Sequence, residues 1–410
     1  PHRGCAGQSL GESCDLLKHP SGALQHRQHR PSPVCSHSIV HLPAILFMPL
    51  PRFLRLLLLS LASLCCVLAA LIYSLTWHPA AREAAPVSCQ TNAPQLQPGQ
   101  ALKVMTWNIQ YLAGKRYVFW YDLVDGNGPD QRPSAQDLAF TLDEVARILR
   151  DEQPDIVLLQ ELHNGTKATD YQNQLALLHE RLSDLYPCSS QAYYWKAAFV
   201  PHPQILGSVG MQLGTLSRFQ ISHAERLQLP LMPANLISRQ FNLKRALLVS
   251  HLPVRGGGEL VAINTHLDAF AQGNETMQRQ VAMTRSLLDQ LQADVKPWVI
   301  GGDFNLLPTG QYQRLPENQR SWYSPTSELQ QLAERYPMVP SLEQASGSEQ
   351  TRWYTHYPND PAVTGPDRTL DYLFHSPQLT LLDSQVRQHD SLGISDHLPV
   401  LARLLLPTLD

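Results

Sequence analysis

Apolar and polar positions along this chain switch between a period of two and a period near 3.6, and the switches mark its elements. A strand is predicted over Leu102 to Trp107, followed by a long loop from Tyr111 to Pro133. Ser134 stands as a cap before a helix from Ala135 to Arg150, with Asp137 at its third position and Leu138, Leu142, Val145 and Leu149 on one face. Pro154 ends that helix, Ile156 to Leu159 reads as a buried strand, and Tyr171 to Leu185 as a second amphipathic helix. Val209 to Leu216 and Leu247 to Leu252 read as strands, and Gly256-Gly257-Gly258 is a turn into another, Leu260 to Asn264. A helix over Met277 to Ala293 precedes a strand from Trp298 to Gly301, and Leu370 to Phe374 and Leu398 to Leu404 are the last strands. Interleaved strands and helices give the α/β class, and the glycine turn adds antiparallel pairing. No internal repeat is visible.

Ahead of this pattern lies a different one. Leu56 to Leu75 contains no charge, follows Arg52 and Arg55, and gives way to Trp77 and His78-Pro79. At helical rise it spans a bilayer core, so residues 53–77 are expected to form a transmembrane signal-anchor with the amino end cytoplasmic. A cleaved signal peptide is the alternative, but Ile72-Tyr73-Ser74 and the bulky residues around it are poor for cleavage. Residues 78–100, rich in Ala, Pro and Gln, read as a linker. Residues 1–47 show no periodicity and are expected to be a disordered leader upstream of a true start at Met48.

With 410 residues the chain has room for two domains or for one large α/β domain. Charge divides unevenly. Residues 1–79 carry six bases against two acids, leaving 26 bases against 33 acids in residues 80–410. That acidic balance lacks the footprint of tight nonspecific nucleic-acid binding. Of the seven cysteines, Cys5, Cys14 and Cys35 fall in the leader and Cys65 and Cys66 in the span. Cys89 and Cys188 are left as either a disulfide or two unrelated thiols.

The candidate chemistry sits in five polar islands that end apolar runs: Thr106-Trp107-Asn108, Gln160-Glu161, Asn264-Thr265-His266, Gly301-Gly302-Asp303-Phe304-Asn305 and Ser395-Asp396-His397. A strand that ends in a carboxylate, amide or imidazole aims that group at the rim of a sheet. No cysteine nucleophile or serine elbow accompanies them; the set suits a hard divalent cation and a phosphate. Glu161, one residue past the apolar run Ile156 to Leu159, is the leading metal-ligand candidate, because a carboxylate there is costly unless paired. Asp303 and Asn305, two apart on a segment read as extended, would face one way with Phe304 turned into the core. Asp303 would then orient or deprotonate water while Asn305 donates to a phosphate oxygen.

In this order the islands, with Leu370-Asp371-Tyr372 before the last, resemble the endonuclease/exonuclease/phosphatase superfamily over roughly Ala101 to Leu405. The resemblance implies a catalytic domain over 101–407 built as a four-layer α/β sandwich, two packed mixed β-sheets flanked by helices. It implies that Asn108 and Asp396 complete or flank the Glu161 cation site, that Asp371 orients His397 as base or charge stabiliser, and that His266 is a second phosphate donor or protonates the leaving oxygen. Mg²⁺ is the implied cofactor, with Mn²⁺ the alternative. Three departures stand out. Arg368 lies three residues before Asp371 rather than two, no carboxylate partner for His266 is evident, and the Tyr111–Pro133 loop is long.

The aromatic runs Tyr117 to Tyr121, Tyr193-Tyr194-Trp195 and Trp353-Tyr354 would clamp a base, a sugar or a lipid, dip into a bilayer, or pack internally. The expected function is a membrane-anchored, metal-dependent phosphoesterase with its domain extracytoplasmic (periplasmic if bacterial), acting on a phospholipid or sphingolipid head group. The alternatives are an extracytoplasmic nuclease and a noncatalytic binding module on the same fold. No obligate protein partner is implied.

Overall fold

The computed structural model describes residues 51–408 apart from residues 270 and 272. The leader, Met48 and Cys5, Cys14 and Cys35 lie outside the described residues. The helix α1 (Arg52–Leu75) has no buried residue and is long and apolar enough to cross a membrane. At 1.5 Å per residue it measures about 36 Å.

The strands in chain order are β1 (Arg82–Ala85), β2 (Val87–Cys89), β3 (Ala101–Asn108), β4 (Ile156–His163), β5 (Cys188–Val200), β6 (Gly207–Ser217) and β7 (His223–Gln228), then β8 (Ala246–Pro253), β9 (Glu259–His266), β10 (Trp298–Asp303), β11 (Met338–Val339), β12 (Asp371–His375), β13 (Thr380–Val386) and β14 (Val400–Leu405). They form two mixed sheets, ordered β13-β14-β3-β4-β6-β5-β2 and β1-β7-β8-β9-β10-β12-β11. In each, one central pair is parallel, β3 with β4 and β9 with β10, and its neighbours are antiparallel. The helix α2 (Ala135–Glu152) connects the first parallel pair. Two further helices, α3 (Gln174–Leu182) and the short α4 (Ser238–Phe241), precede α5 (Thr276–Ala293), which connects the second pair.

Period-two alternation builds the layers. On β3 and β4, Leu102, Val104, Ile156 and Leu158 face Leu260, Ala262, Val299 and Leu373 of the other sheet. Met105, Trp107, Val157 and Leu159 face outward against Leu138, Leu142, Val145 and Leu149 of α2. Likewise Val261, Ile263 and Ile300 lie under Val281, Leu288 and Leu291 of α5. The result is helix, sheet, sheet, helix. As expected, Ser134 caps α2 by accepting from the Asp137 N–H at 3.1 Å.

Several expectations need correction. The segment read as a linker supplies β1 and β2, an edge strand for each sheet. Of the two readings left open for Cys89 and Cys188, the disulfide holds: Cys89 on β2 stands opposite Cys188 on β5, and the two are bonded. Leu102–Trp107 extends to Asn108, while the second helix is shorter than its pattern, Gln174–Leu182. Asn305 is not on an extended segment: β10 ends at Asp303, and Asn305 has φ +52°.

Glycine sets how closely the strands approach. A Cβ on Gly301 would lie 2.6 Å from Leu373, 2.9 Å from Leu158 and 3.0 Å from Thr106, so this residue lets the sheets close beneath the rim. A Cβ on Gly302 would lie 2.0 Å from the Thr265 carbonyl oxygen on the adjacent parallel strand. Gly302→Ala is therefore expected to destabilise the domain by about 1–3 kcal/mol or more, seen as a lowered thermal midpoint. An unchanged midpoint would contradict the close β9–β10 approach.

Candidate active site at the rim of the sandwich

The ends of the two parallel pairs converge at one edge of the sandwich. Inward parity carries from Val104 to Asn108, from Leu260 to His266, from Val299 to Asp303 and from Leu373 to Asp371, so these side chains emerge between the sheets. Glu161 breaks parity. Counting from Leu159 it should point outward, but a register shift between Leu159 and Leu162 and a φ of +61° at Glu161 mark a bulge that re-aims it. Its carboxylate then accepts from the Asn108 amide at 3.2 Å.

Asn108 also donates to Asp303 at 3.2 Å, while its own oxygen accepts the Gln110 N–H at 3.0 Å. In this orientation the Asn108 NH₂ flanks the carboxylates and bridges the seam. Asp303 takes the Asn305 N–H at 2.9 Å in an Asx turn, and the Asn305 amide donates to the Leu267 carbonyl at 3.2 Å. The turn still brings Asn305 to the rim, but by curling the chain rather than by alternation. Phe304 is fully buried beneath the site, as expected.

His397 Nδ1 meets Asp371 at 2.7 Å, and its Nε2 lies 3.5 Å from Asp303. Ser395 Oγ donates to the Asn108 carbonyl at 2.8 Å, and Trp107 Nε1 donates to the His397 carbonyl at 2.9 Å, fastening the last island onto the end of β3. Asp396, half-buried, is close enough to His397 to share a ligand-sized space with it and with His356. All eight residues singled out in the sequence thus sit at this rim. The partner missing for His266 is Asp303, 3.3 Å from its Nε2; on the other side Tyr194 Oη lies 3.3 Å and Glu161 3.9 Å from its Nδ1. Arg368 is wholly buried against Asp367 and Gln319, away from a direct phosphate role.

The electrostatics follow from burial. Burial, and then the neighbouring Asp396, push the Glu161 carboxyl above its usual range. Burial does the same to Asp303, opposed by His397. For His397, burial alone would favour the neutral ring, but Asp371 and then Asp303 hold the imidazolium well above the ordinary histidine range. His266 goes the other way: burial, then Arg245 and His397, keep it neutral. The donor set is therefore rich in carboxylate oxygens, and among the described residues His397 is the one cation in direct contact with them. Asp371 Oδ1 is also buried without a partner. Such a set fits a hard divalent cation.

Several contributing residues carried no signal. Gln160 bonds Asn264 at 2.7 Å and Thr106 at 3.1 Å, a polar layer joining the sheets below the site; only their place in the islands marked them. Asp268, two residues after His266, pairs with buried Arg245 at 3.1 Å. Lys115 holds the Tyr357 and Pro358 carbonyls and Asn359 Oδ1 at 2.6, 3.0 and 2.7 Å, strapping the long loop to the rim. Asn359 in turn donates to Asp122 at 3.2 Å, whose carboxyl is pushed up to about 7 by burial and then by Asp396.

A profile of the Endonuclease/Exonuclease/phosphatase family matches residues 105–397. No curated protein matches the chain. Among solved structures, an endonuclease/exonuclease/phosphatase from Beutenbergia cavernae is 23% identical, covering 75% of this chain and 72% of that chain with a TM-score of 0.48. The human Nocturnin catalytic domain is 19% identical, covering 78% and 97% with a TM-score of 0.46. TDP2 from Caenorhabditis elegans is 18% identical, covering 75% of each chain with a TM-score of 0.43.

The raised Glu161 and Asp303 carboxyls predict a pH-dependent cation effect. A raised acid holds its proton more tightly when folded, so it contributes stability below its ordinary pKa, about 4.3 for Glu and about 3.9 for Asp, that is lost as pH rises through the folded value. A cation replaces that proton. The rise in thermal midpoint on adding Mg²⁺ should therefore be larger on the alkaline side of neutrality than in acid, and Glu161→Gln should flatten the difference. A shift equal at both pH extremes would contradict this account.

Proposed function

Because this chain belongs to the endonuclease/exonuclease/phosphatase family, a family of hydrolytic phosphoesterases, we propose that it is a membrane-anchored, Mg²⁺-dependent phosphodiesterase acting on a phospholipid or sphingolipid head group. The observation that carries this reading is the seam itself: carboxylates from both sheets gathered around an imidazolium held by Asp371. A phosphodiester resists attack because its anionic oxygens repel the nucleophile. A divalent cation held by Glu161 and Asp396 would supply charge to those oxygens. Asn108 keeps Glu161 and Asp303 apart and oriented through its two donated bonds.

Asp303 is placed to accept the proton of an attacking water, since it is buried, held at one oxygen by the Asn305 N–H, and raised towards neutrality. His397 carries its proton at Nε2, with Nδ1 fixed by Asp371, and donates to a non-bridging oxygen as charge develops. His266, neutral in its pocket, donates a hydrogen bond but is a weak proton source for the leaving group. Asn305 uses one amide hydrogen on Leu267 and keeps the other for phosphate.

Anchoring is supported by α1, with Arg52 at its start and Arg55 one turn in, and an extracytoplasmic domain by the Cys89–Cys188 bond. The acidic balance of residues 80–410 favours a lipid over a polynucleotide substrate. Asp303→Asn and His397→Ala are each expected to lower turnover of bis-p-nitrophenyl phosphate by about 10²–10⁴ in protein that circular dichroism shows to be still folded at the assay temperature. Turnover that survives both substitutions would remove this site from the reaction.

A further inference from the structure

The same edge of the sandwich carries a feature that catalysis leaves unused. β4, at Leu162 just beyond Glu161, pairs with Gln212 of β6, which pairs with Tyr193 of β5. From that level β5 runs on to Val200 before turning back, so the β5–β6 hairpin projects about 20 Å past the site. Its tip is apolar and open: Phe199 is 38% and Leu206 51% exposed. Beside it, Phe241 packs with Val200, Val209 and Ile205, and its carbonyl accepts from Trp195 Nε1 at 2.6 Å. One turn earlier, Leu236 and Ile237 stand 71% and 61% exposed. Trp120 of the long loop stacks on His202 at the hairpin tip, with ring centroids 5.0 Å apart.

Two independent observations say what covers this edge. The first is where the apolar helix arrives. Directly after α1, Thr76 bridges Ala197 on β5, two residues from Phe199. Trp77 then packs edge-on against Tyr193 and lies under Arg226. The second is charge. Between residues 185 and 258 there are seven Lys or Arg and a single acid, Glu225, in a domain that is otherwise acidic; Arg226, Lys244 and Arg245 of these are buried. At the tip itself Lys196 and Arg239 are exposed. Apolar side chains interleaved with bases, beside the exit of an apolar helix, are the composition of a surface that enters an anionic bilayer interface.

We propose that this edge is a lipid-docking surface: Phe199, Leu206, Leu236 and Ile237 enter the interface of the bilayer that holds α1. The rim bearing Glu161, Asp303 and His397 thereby faces the head groups. The inference rests on the anchored reading above and gives that reading its orientation. The site is presented to phosphodiesters lying in the membrane, and soluble polynucleotides would have to enter between protein and bilayer.

The test uses the full chain reconstituted in nanodiscs of phosphatidylcholine with phosphatidylserine, in a background with Cys5, Cys14, Cys35, Cys65 and Cys66 each replaced by Ser. An environment-sensitive fluorophore is attached at Ile237→Cys, at Phe199→Cys, or at Val295→Cys, the last exposed at the opposite end of the sandwich before β10. Doxyl-labelled phosphatidylcholine is expected to quench the first two and leave the third unchanged. Leu236→Glu/Ile237→Glu should abolish the quenching at Phe199→Cys and leave turnover of bis-p-nitrophenyl phosphate as in the parent. Quenching absent at all three positions, or equal at all three, would overturn the docking surface. Failure to hydrolyse the soluble ester would overturn the hydrolase reading without altering the quenching result.

Discussion

Four carboxylates, Glu161, Asp303, Asp371 and Asp396, share the seam where two sheets meet, and the rest of the site is arranged around that crowding. Ionised carboxylates in a space poor in water repel one another and lose hydration, a penalty of several kcal/mol per ion unless partners compensate. Here the partners are few: the His397 imidazolium, the Asn108 amide and the Asn305 N–H. The excess of negative charge that remains is what suits the place to a divalent cation and, through it, to a phosphate. The same crowding holds His397 charged while burial keeps His266 neutral, so two histidines a few ångströms apart have opposite characters.

The scaffold supports this concentration of charge by stiffness. Each sheet contributes one parallel pair with a helix packed on its outer face, and the working groups sit at the ends of those pairs. Gly301 and Gly302 let strands and sheets approach to distances that any side chain would prevent. Immediately below, the Thr106–Gln160–Asn264 layer is hydrogen-bonded across the seam and ties the register of one sheet to the other. The bulge at Glu161 then supplies the one side chain that alternation would have sent the wrong way.

The long loop and the projecting hairpin belong to the same edge. Lys115 and Asn359 strap the loop to the segment before Asp396, and Trp120 carries it across to the hairpin tip. On the proposed orientation these elements form the boundary between the site and lipid, which explains why aromatic residues there are divided between packing and exposure. Phe119 is buried whereas Tyr121 is open.

The sequence by itself determined the class, most elements and the identity of the site. Apolar periodicity locates α2 and α5 and the strands that lead into Asn108, Glu161, His266 and Asp303, because burial on one face is a local property of the pattern. The order of the islands identified the family for the same local reason. Tertiary structure alone decided the rest. Whether residues 78–100 tether or pair depends on edges offered by strands far away in the chain, so β1 and β2 were invisible, and the register of β2 on β5 decided the choice between a Cys89–Cys188 disulfide and two separate thiols that the sequence had left open. The direction of Glu161 is set by a bulge against β6, and that of Asn305 by a left-handed turn held by Asp303 and Leu267. His266 has its carboxylate only because Asp303 reaches the same level on the neighbouring strand. Strand register and side-chain convergence are set by contacts distant in sequence, and a one-dimensional pattern does not encode which distant groups meet.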